Sequence, residues 1–165
     1  MMSAMKKMTH DLTYDAPAAA VAAMLADPAF REEVVEAQHV LRHEVQVTGD
    51  PAAGSGTVTV EQVQAAHGLP SFARKFVGDE IEIVQAETWT SSTAAELHVS
   101  IPGKPGSMVG TIKLSESGGS TTETVDLDIT VGIPLVGGKI EGMVADMLLK
   151  ALRTEQKVGR DYLSR

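Results

Sequence analysis

Residues 124–163 read TVDLDITVGIPLVGGKIEGMVADMLLKALRTEQKVGRDYL. At the start of this stretch Val125, Leu127, Ile129 and Val131 alternate with Thr124, Asp126, Asp128 and Thr130. A period of two with one apolar side is the mark of a half-buried strand. Beyond Gly132 the period changes. From about Leu135 to Leu163, Ile140, Met143, Val144, Met147, Leu148, Ala151, Leu152, Val158 and Tyr162 recur on one helical face. Lys139, Asp146, Lys150, Arg153, Lys157 and Arg160 take the other. A sheet with one apolar side needs a cover, and this helix carries the only apolar surface in the chain large enough to supply it. Between the two, Gly132 to Lys139 has a superficial likeness to a phosphate-binding loop. Gly138 displaces Lys139, and Ile140 stands where Ser or Thr would meet magnesium. The stretch reads instead as a joint that folds the helix back over the sheet.

Working towards the N-terminus, the same two periods recur. Residues 7–14 alternate, with Met8, His10, Leu12 and Tyr14 on one side. Asp15 is placed to cap a helix from Ala16 to Leu25 with Pro17 in its first turn, and Asp27-Pro28 to cap a second helix running to Val40. Leu41, His43, Val45 and Val47 then alternate, a turn covers 49–56, and strands follow at 57–64, 81–89, 95–101 and 108–114 before the final one. The order is strand, two short helices, six strands, long helix. Short turns between successive strands favour an antiparallel sheet. The expected fold is α+β, a curved antiparallel seven-stranded sheet wrapped around a long C-terminal helix, with two short helices after the first strand. Residues 1–165 are expected to form one domain, with 1–6 a disordered N-terminal tail.

The totals narrow the function classes. The chain has 165 residues, 43% hydrophobic and 22% charged, with a formal net charge of −8 and no cysteine. That excludes disulfides and thiol chemistry. An acidic protein repels phosphate backbones and anionic lipid surfaces, so neither nucleic acid nor stable membrane insertion is expected. No apolar run approaches the roughly 18 residues of a spanning helix, and no leader segment is recognised. The expected location is the cytoplasm.

This order of elements resembles the START-like superfamily, also called SRPBCC, helix-grip or birch-pollen-allergen-like proteins, over about residues 7–163. Two stretches are similar to a bacterial branch of it whose activity is uncharacterised. One is Leu69-Pro-Ser-Phe-Ala-Arg-Lys-Phe76 leading to Glu87-Thr-Trp89; the other is Ile133-Pro-Leu-Val-Gly-Gly-Lys-Ile-Glu-Gly142, continuing to Leu152-Arg-Thr-Glu-Gln156. The resemblance implies a cavity between sheet and helix. The superfamily includes lipid and sterol carriers, hormone receptors, polyketide cyclases and co-chaperones, so fold alone does not choose a function.

Candidate ligand-binding residues follow from that cavity: Phe72, Phe76, Trp89, Leu97, Val99, Ile112, Met143, Met147 and Glu155. Leu69, Phe72, Ala73 and Phe76 share one face of a short helix, either a lid at the cavity entrance or a plug at the core's edge. Met143 and Met147 suit a flexible apolar ligand but also ordinary core filling, the preferred reading. Trp89, the only tryptophan, lines the cavity or simply packs. Glu155 falls inside the apolar helix face. Buried, it would orient a polar head group or act as a base; the preferred alternative is that the helix end overhangs the sheet and leaves it solvated. His10 and His43 point with apolar neighbours and are acid–base candidates, though a hydrogen-bonded core histidine is commoner. The five histidines show no metal spacing, no cofactor is implied, and no catalytic set can be named. Asp126 and Asp128 belong to the solvated sheet face.

Three functions remain open at this point. The first is binding or carriage of an apolar or amphipathic small molecule, a lipid, fatty acid or polyketide-like compound. The second is a cyclase or dehydratase type of enzyme using one acid–base residue, from His10, His43 or Glu155. The third is a protein-interaction module whose core is filled by its own side chains. Oligomeric state is not legible.

Overall fold

The computed structural model describes residues 5–165. Strand β1 (Lys6–Tyr14) is followed by helices α1 (Ala18–Ala26) and α2 (Pro28–Ala37). Strands β2 (Arg42–Asp50) and β3 (Ser55–Ala65) come next, then α3 (Ser71–Val77), β4 (Glu80–Ser91), β5 (Ala94–Ser100), β6 (Ser107–Ser117), β7 (Ser120–Thr130) and α4 (Gly137–Leu163). The expected tail falls outside the described residues at 1–4. Lys6 already pairs with Ile129 in the sheet.

All seven strands form one sheet in the order β1-β7-β6-β5-β4-β3-β2, every pair antiparallel. Hairpins build it strand by strand, and β1 closes on the last strand. The α1–α2 segment therefore carries the chain from one edge of the sheet to the other. Alternation sets the inner face: on β7, Thr121, Glu123, Val125, Leu127 and Ile129 are buried, and the residues between them are half-exposed. Those outward residues bond along the surface, Thr9 to Asp126 and Lys7 to Asp128.

Helix α4 lies across the inner face against β1 and α2. Two glycines permit close approach at its ends. A Cβ on Gly137 would stand 2.4 Å from the Val131 carbonyl oxygen, and one on Gly159 would stand 2.7 Å from Tyr14 Cε1. The joint before α4 is tied as well as folded, because buried Glu141 accepts the Val131 N–H at 2.7 Å. At the far end Thr13 N–H donates to Gln156, Arg160 donates to the Thr13 carbonyl, and Tyr162 donates to Asp27. The helix end does not overhang the sheet. Between the supports, Met147, Leu148, Ala151 and Leu152 are only half-buried.

Three local expectations are corrected. Asp15 does not cap α1: its carboxylate accepts from Ser120, the N-cap residue is Pro17, and Glu116 of β6 reaches over to accept the Ala18 N–H at 2.6 Å. A cap supplied by the sheet leaves no local sequence mark. The second helix stops at Ala37, not Val40, because His39 takes a positive φ of 54°. His43 does not face the core; it is exposed on edge strand β2, hydrogen-bonded to Glu32. Asp27 does cap α2, accepting from Ala29 N–H.

Candidate functional site

A recess opens between the inner sheet face and the middle of α4. Its empty space, mouth included, is ≈ 810 Å³. Val34 and Val35 of α2, Val60 of β3, Ile81 and Ile83 of β4, and Met147, Leu148 and Leu152 of α4 supply apolar wall. The polar lining is a band of Gln62, Gln64 and Gln85, Gln38 just past the end of α2, and one end where Arg31 and Glu155 stand. Register explains the band. Gln62 and Gln64 continue the inward row of Val58 and Val60, and Gln85 lies opposite Val60 on β4.

At that end a second, smaller recess shares Gln85, Val99, Leu148, Ala151, Leu152 and Glu155 with the first and adds Glu87, Leu97, Ile112 and Glu123. Four charged residues thus meet from four elements: Arg31 (α2), Glu87 (β4), Glu123 (β7) and Glu155 (α4). Each is at most 7% exposed, which makes their pairing an energetic necessity. Arg31 donates from Nη1 and Nη2 to the two Glu87 oxygens, both at 2.8 Å, and from Nε to the Leu25 carbonyl at 2.8 Å. Glu87 also accepts from Gln85 Nε2 at 2.7 Å and Trp89 Nε1 at 3.1 Å. Burial works against the charge on Arg31, but the Glu87 and Glu155 carboxylates outweigh it and the guanidinium holds its proton.

Glu123 and Glu155 are provided for differently. The two carboxyl groups act on each other, the charge of Glu155 raising the proton affinity of Glu123. Nη1 of Arg31 stands 3.8 Å from Glu155 Oε1, too far for a hydrogen bond. Glu123 Oε1 and Glu155 Oε2 have no protein partner, nor does the nearby hydroxyl of Tyr14. Burial above all, then the neighbouring carboxylate, pushes Glu123 well above the ordinary range. Burial, opposed by Arg31, pushes Glu155 up to about 7. Burial and then Glu155 and Glu123 raise Tyr14, which stays a neutral phenol.

The sequence-stated candidates divide. Val99, Met147 and Glu155 line the main recess; Leu97 and Ile112 line the smaller one beside Val99 and Glu155. Phe76 lines a third, ≈ 450 Å³ with its mouth, between α3 and the β5–β6 turn. Phe72 and Met143 pack against the core and line none of these three recesses. Trp89 is 3% exposed and serves Glu87. Glu155 is buried, so its solvated reading is overturned by the pinning of the α4 end described above. Arg31, Glu87 and Glu123 were missed. The signal was present for two: Glu123 keeps the parity of Val125, and Glu87 that of Trp89. Glu32, Glu36 and His43 also converge, with ligand atoms within 4.8 Å of one another, but on the outer side of α2 and β2. That grouping is largely open to solvent, and its Glu32–His43 hydrogen bond already engages two of the three side chains.

A long helix held across a seven-stranded antiparallel sheet, with a recess between them, defines the START-like, helix-grip class. The chain belongs, over residues 9–163, to the family described as "Protein of unknown function (DUF2505)". It is 31% identical over 122 residues to uncharacterized proteins of Mycobacterium tuberculosis and Mycobacterium bovis, covering 68% of this chain and 69% of theirs. Solved structures share the fold at low identity. An aromatase/cyclase from a Streptomyces species has TM-score 0.66, 13% identity, and coverage of 98% of this chain and 95% of that one. Norcoclaurine synthase from Thalictrum flavum has TM-score 0.62, 13% identity, and coverage of 96% and 95%. Among the described residues no helix is long and apolar enough to cross a membrane.

Proposed function

We propose that this protein binds and carries an apolar or amphipathic small molecule, of lipid or polyketide-like kind, in the recess between the sheet and α4, and does so in the cytoplasm. The observation that carries the reading is the recess itself. Its walls are largely aliphatic, most of its polar groups stand in one band and at one end, and it shares a wall with a smaller space that Glu87, Glu123 and Glu155 help to line. Convergent polar groups at the end of an apolar cavity fix a ligand's orientation while the walls supply affinity. Enclosed apolar surface contributes roughly 25 cal/mol per Å² before ordering costs are subtracted. The aromatase/cyclase relative in fold has, by its name, a small-molecule substrate, which accords with this use of the architecture.

Protein purified without detergent and examined by native mass spectrometry tests the reading. The expected result is a defined adduct of near-equal stoichiometry, released by organic solvent, or saturable uptake of a neutral apolar fluorophore by the stripped protein. Neither adduct nor uptake would leave the filled-core alternative.

One observation favours a second reading, an acid–base enzyme. Glu155, pushed up to about 7, lines the recess, and Glu123 lines the smaller one beside it. A carboxyl group poised near working pH in an apolar site is suited to moving a proton beside a carbonyl. Faster deuterium uptake next to the carbonyl of 2-octanone with the wild type than with Glu155→Gln is its expected signature. Equal uptake would remove the role.

A further inference from the structure

A sheet face that only enclosed a hydrocarbon chain would be apolar throughout, and the face beneath α4 is not. On β3, Val58 and Val60 are followed on the same side by Gln62 and Gln64; on β4, Ile81 and Ile83 are followed by Gln85. Register sets Gln62 opposite Ile83 and Gln85 opposite Val60. Gln62 and Gln85 are therefore diagonal neighbours across the strand pair, a separation of roughly 7–8 Å. Gln64 continues the strip towards the end of β3, and all three residues line the main recess.

Hydrogen bonding within the strip is incomplete. Gln64 Nε2 donates to Gln62 Oε1 at 3.3 Å, and Gln85 Nε2 donates to Glu87 Oε2 at 2.7 Å. Among the described residues, nothing in the protein bonds Gln62 Nε2, Gln64 Oε1 or Gln85 Oε1. These atoms are not sealed in. The buried side-chain atoms left without a partner are Tyr14 Oη, Glu123 Oε1 and Glu155 Oε2, and no glutamine atom is among them. Gln62 is inward-facing and 7% exposed, so the space its free N–H groups reach is the recess. The strip thus offers donors and acceptors side by side, at mid-wall and without charge. Turning any of the amides over exchanges the two kinds and leaves both present.

Charge is confined to one end and is occupied there. A carboxylate brought to that end would be the fourth carboxyl group around the Arg31 guanidinium, beside Glu87, Glu123 and Glu155. An acyl chain laid along the strip would take water from the free amide atoms and return no hydrogen bond. A neutral body with its own carbonyl and hydroxyl groups would return both kinds.

We infer that the recess takes an uncharged ligand oxygenated in the middle of its body, a carbonyl oxygen accepting from Gln62 and a hydroxyl donating to Gln85 or Gln64. This rests on the binding function proposed above and narrows it, removing chains that are polar at one end only.

The test is displacement of Nile red from the intact protein at pH 6 by four compounds of one shape, all uncharged there: diphenylmethane, 4-benzylphenol, benzophenone and 4-hydroxybenzophenone. A wall of hydrocarbon alone would favour diphenylmethane, because each added oxygen must leave water. The expected order is the reverse, with 4-hydroxybenzophenone displacing at about tenfold lower concentration than diphenylmethane and the singly oxygenated compounds between them. In Gln62→Leu the advantage should fall to within about twofold, with Nile red still bound. Gln64→Leu, at a less buried position, is the second variant and should reduce the advantage about threefold. If diphenylmethane competes as well as 4-hydroxybenzophenone while Nile red binds saturably, the ligand class is overturned and the binding function stands. If both variants keep the full advantage, the glutamines are not its source and the assignment fails. If Nile red does not bind at all, the binding function falls and takes this assignment with it.

Discussion

Two glutamates border the same small recess, and their surroundings differ in kind. Glu87, on β4, is 1% exposed and accepts four hydrogen bonds, two of them from a guanidinium. Glu155, on α4, is 7% exposed and has an oxygen with no protein donor. Depth is nearly equal, so depth does not set the role. What separates them is the supply of donors. A buried carboxylate with a full set of partners belongs to the framework, and one with a vacant lone pair beside a recess has bonding capacity left for something else.

The largest expected effect comes from breaking the complete half. Arg31→Met leaves Glu87 buried without its cation and should cost about 3–5 kcal/mol of stability, read as a shifted urea midpoint with unchanged slope. Trp89→Phe removes one of the four donors and should cost about 1.5 kcal/mol, the low end for a hydrogen bond to a charged group, because three donors remain.

The incomplete half should respond in the opposite sense. Glu155 takes its proton more readily folded, at about 7, than its ordinary 4.5, and Glu123 shifts in the same direction. The folded state therefore holds the extra protons, and the stability they contribute is full below about pH 4.5 and lost as pH rises through about 7. Glu155→Gln should flatten that decline. Its stability at pH 8 should lie within about 1 kcal/mol of wild type or above it, since an amide can bond Glu123 without a charge. A variant that loses as much as Arg31→Met would erase the distinction between the two halves.

The smallest effect tests the wall. Met147→Ala should weaken a bound apolar probe about fivefold, the worth of one to two methylene contacts, whereas Phe72→Ala should leave affinity unchanged because Phe72 borders none of the recesses described. Weakening by Phe72→Ala would restore the lid reading of α3.

The fold was legible because period-two and helical patterns are local, and the long run from Val125 to Leu163 states both in one stretch. The site was only partly so. Val99, Met147 and Glu155 announce themselves as inward positions on periodic elements. Arg31 does not, because on α2 it sits among charged neighbours, Glu32 and Glu33, and only the sheet's register brings Glu87 under it. Glu123 could have been read by carrying the alternation of Val125 back two residues, but its significance lies in Glu155, thirty-two positions away in the chain. Asp15 failed as a cap for a related reason: the competing acceptor, Glu116, comes from another strand.

The glycines at the two ends of α4 have a mechanical consequence. Gly137 seats the helix on the Val131 carbonyl and Gly159 seats it on the ring of Tyr14, with the half-buried turns around Met147 and Leu152 between. A girder resting on two piers does not swing like a door. Traffic into the space beneath must pass by rotation of the side chains at mid-span, and the size of cargo the protein can admit is set by how far Met147, Leu148 and Leu152 can turn aside.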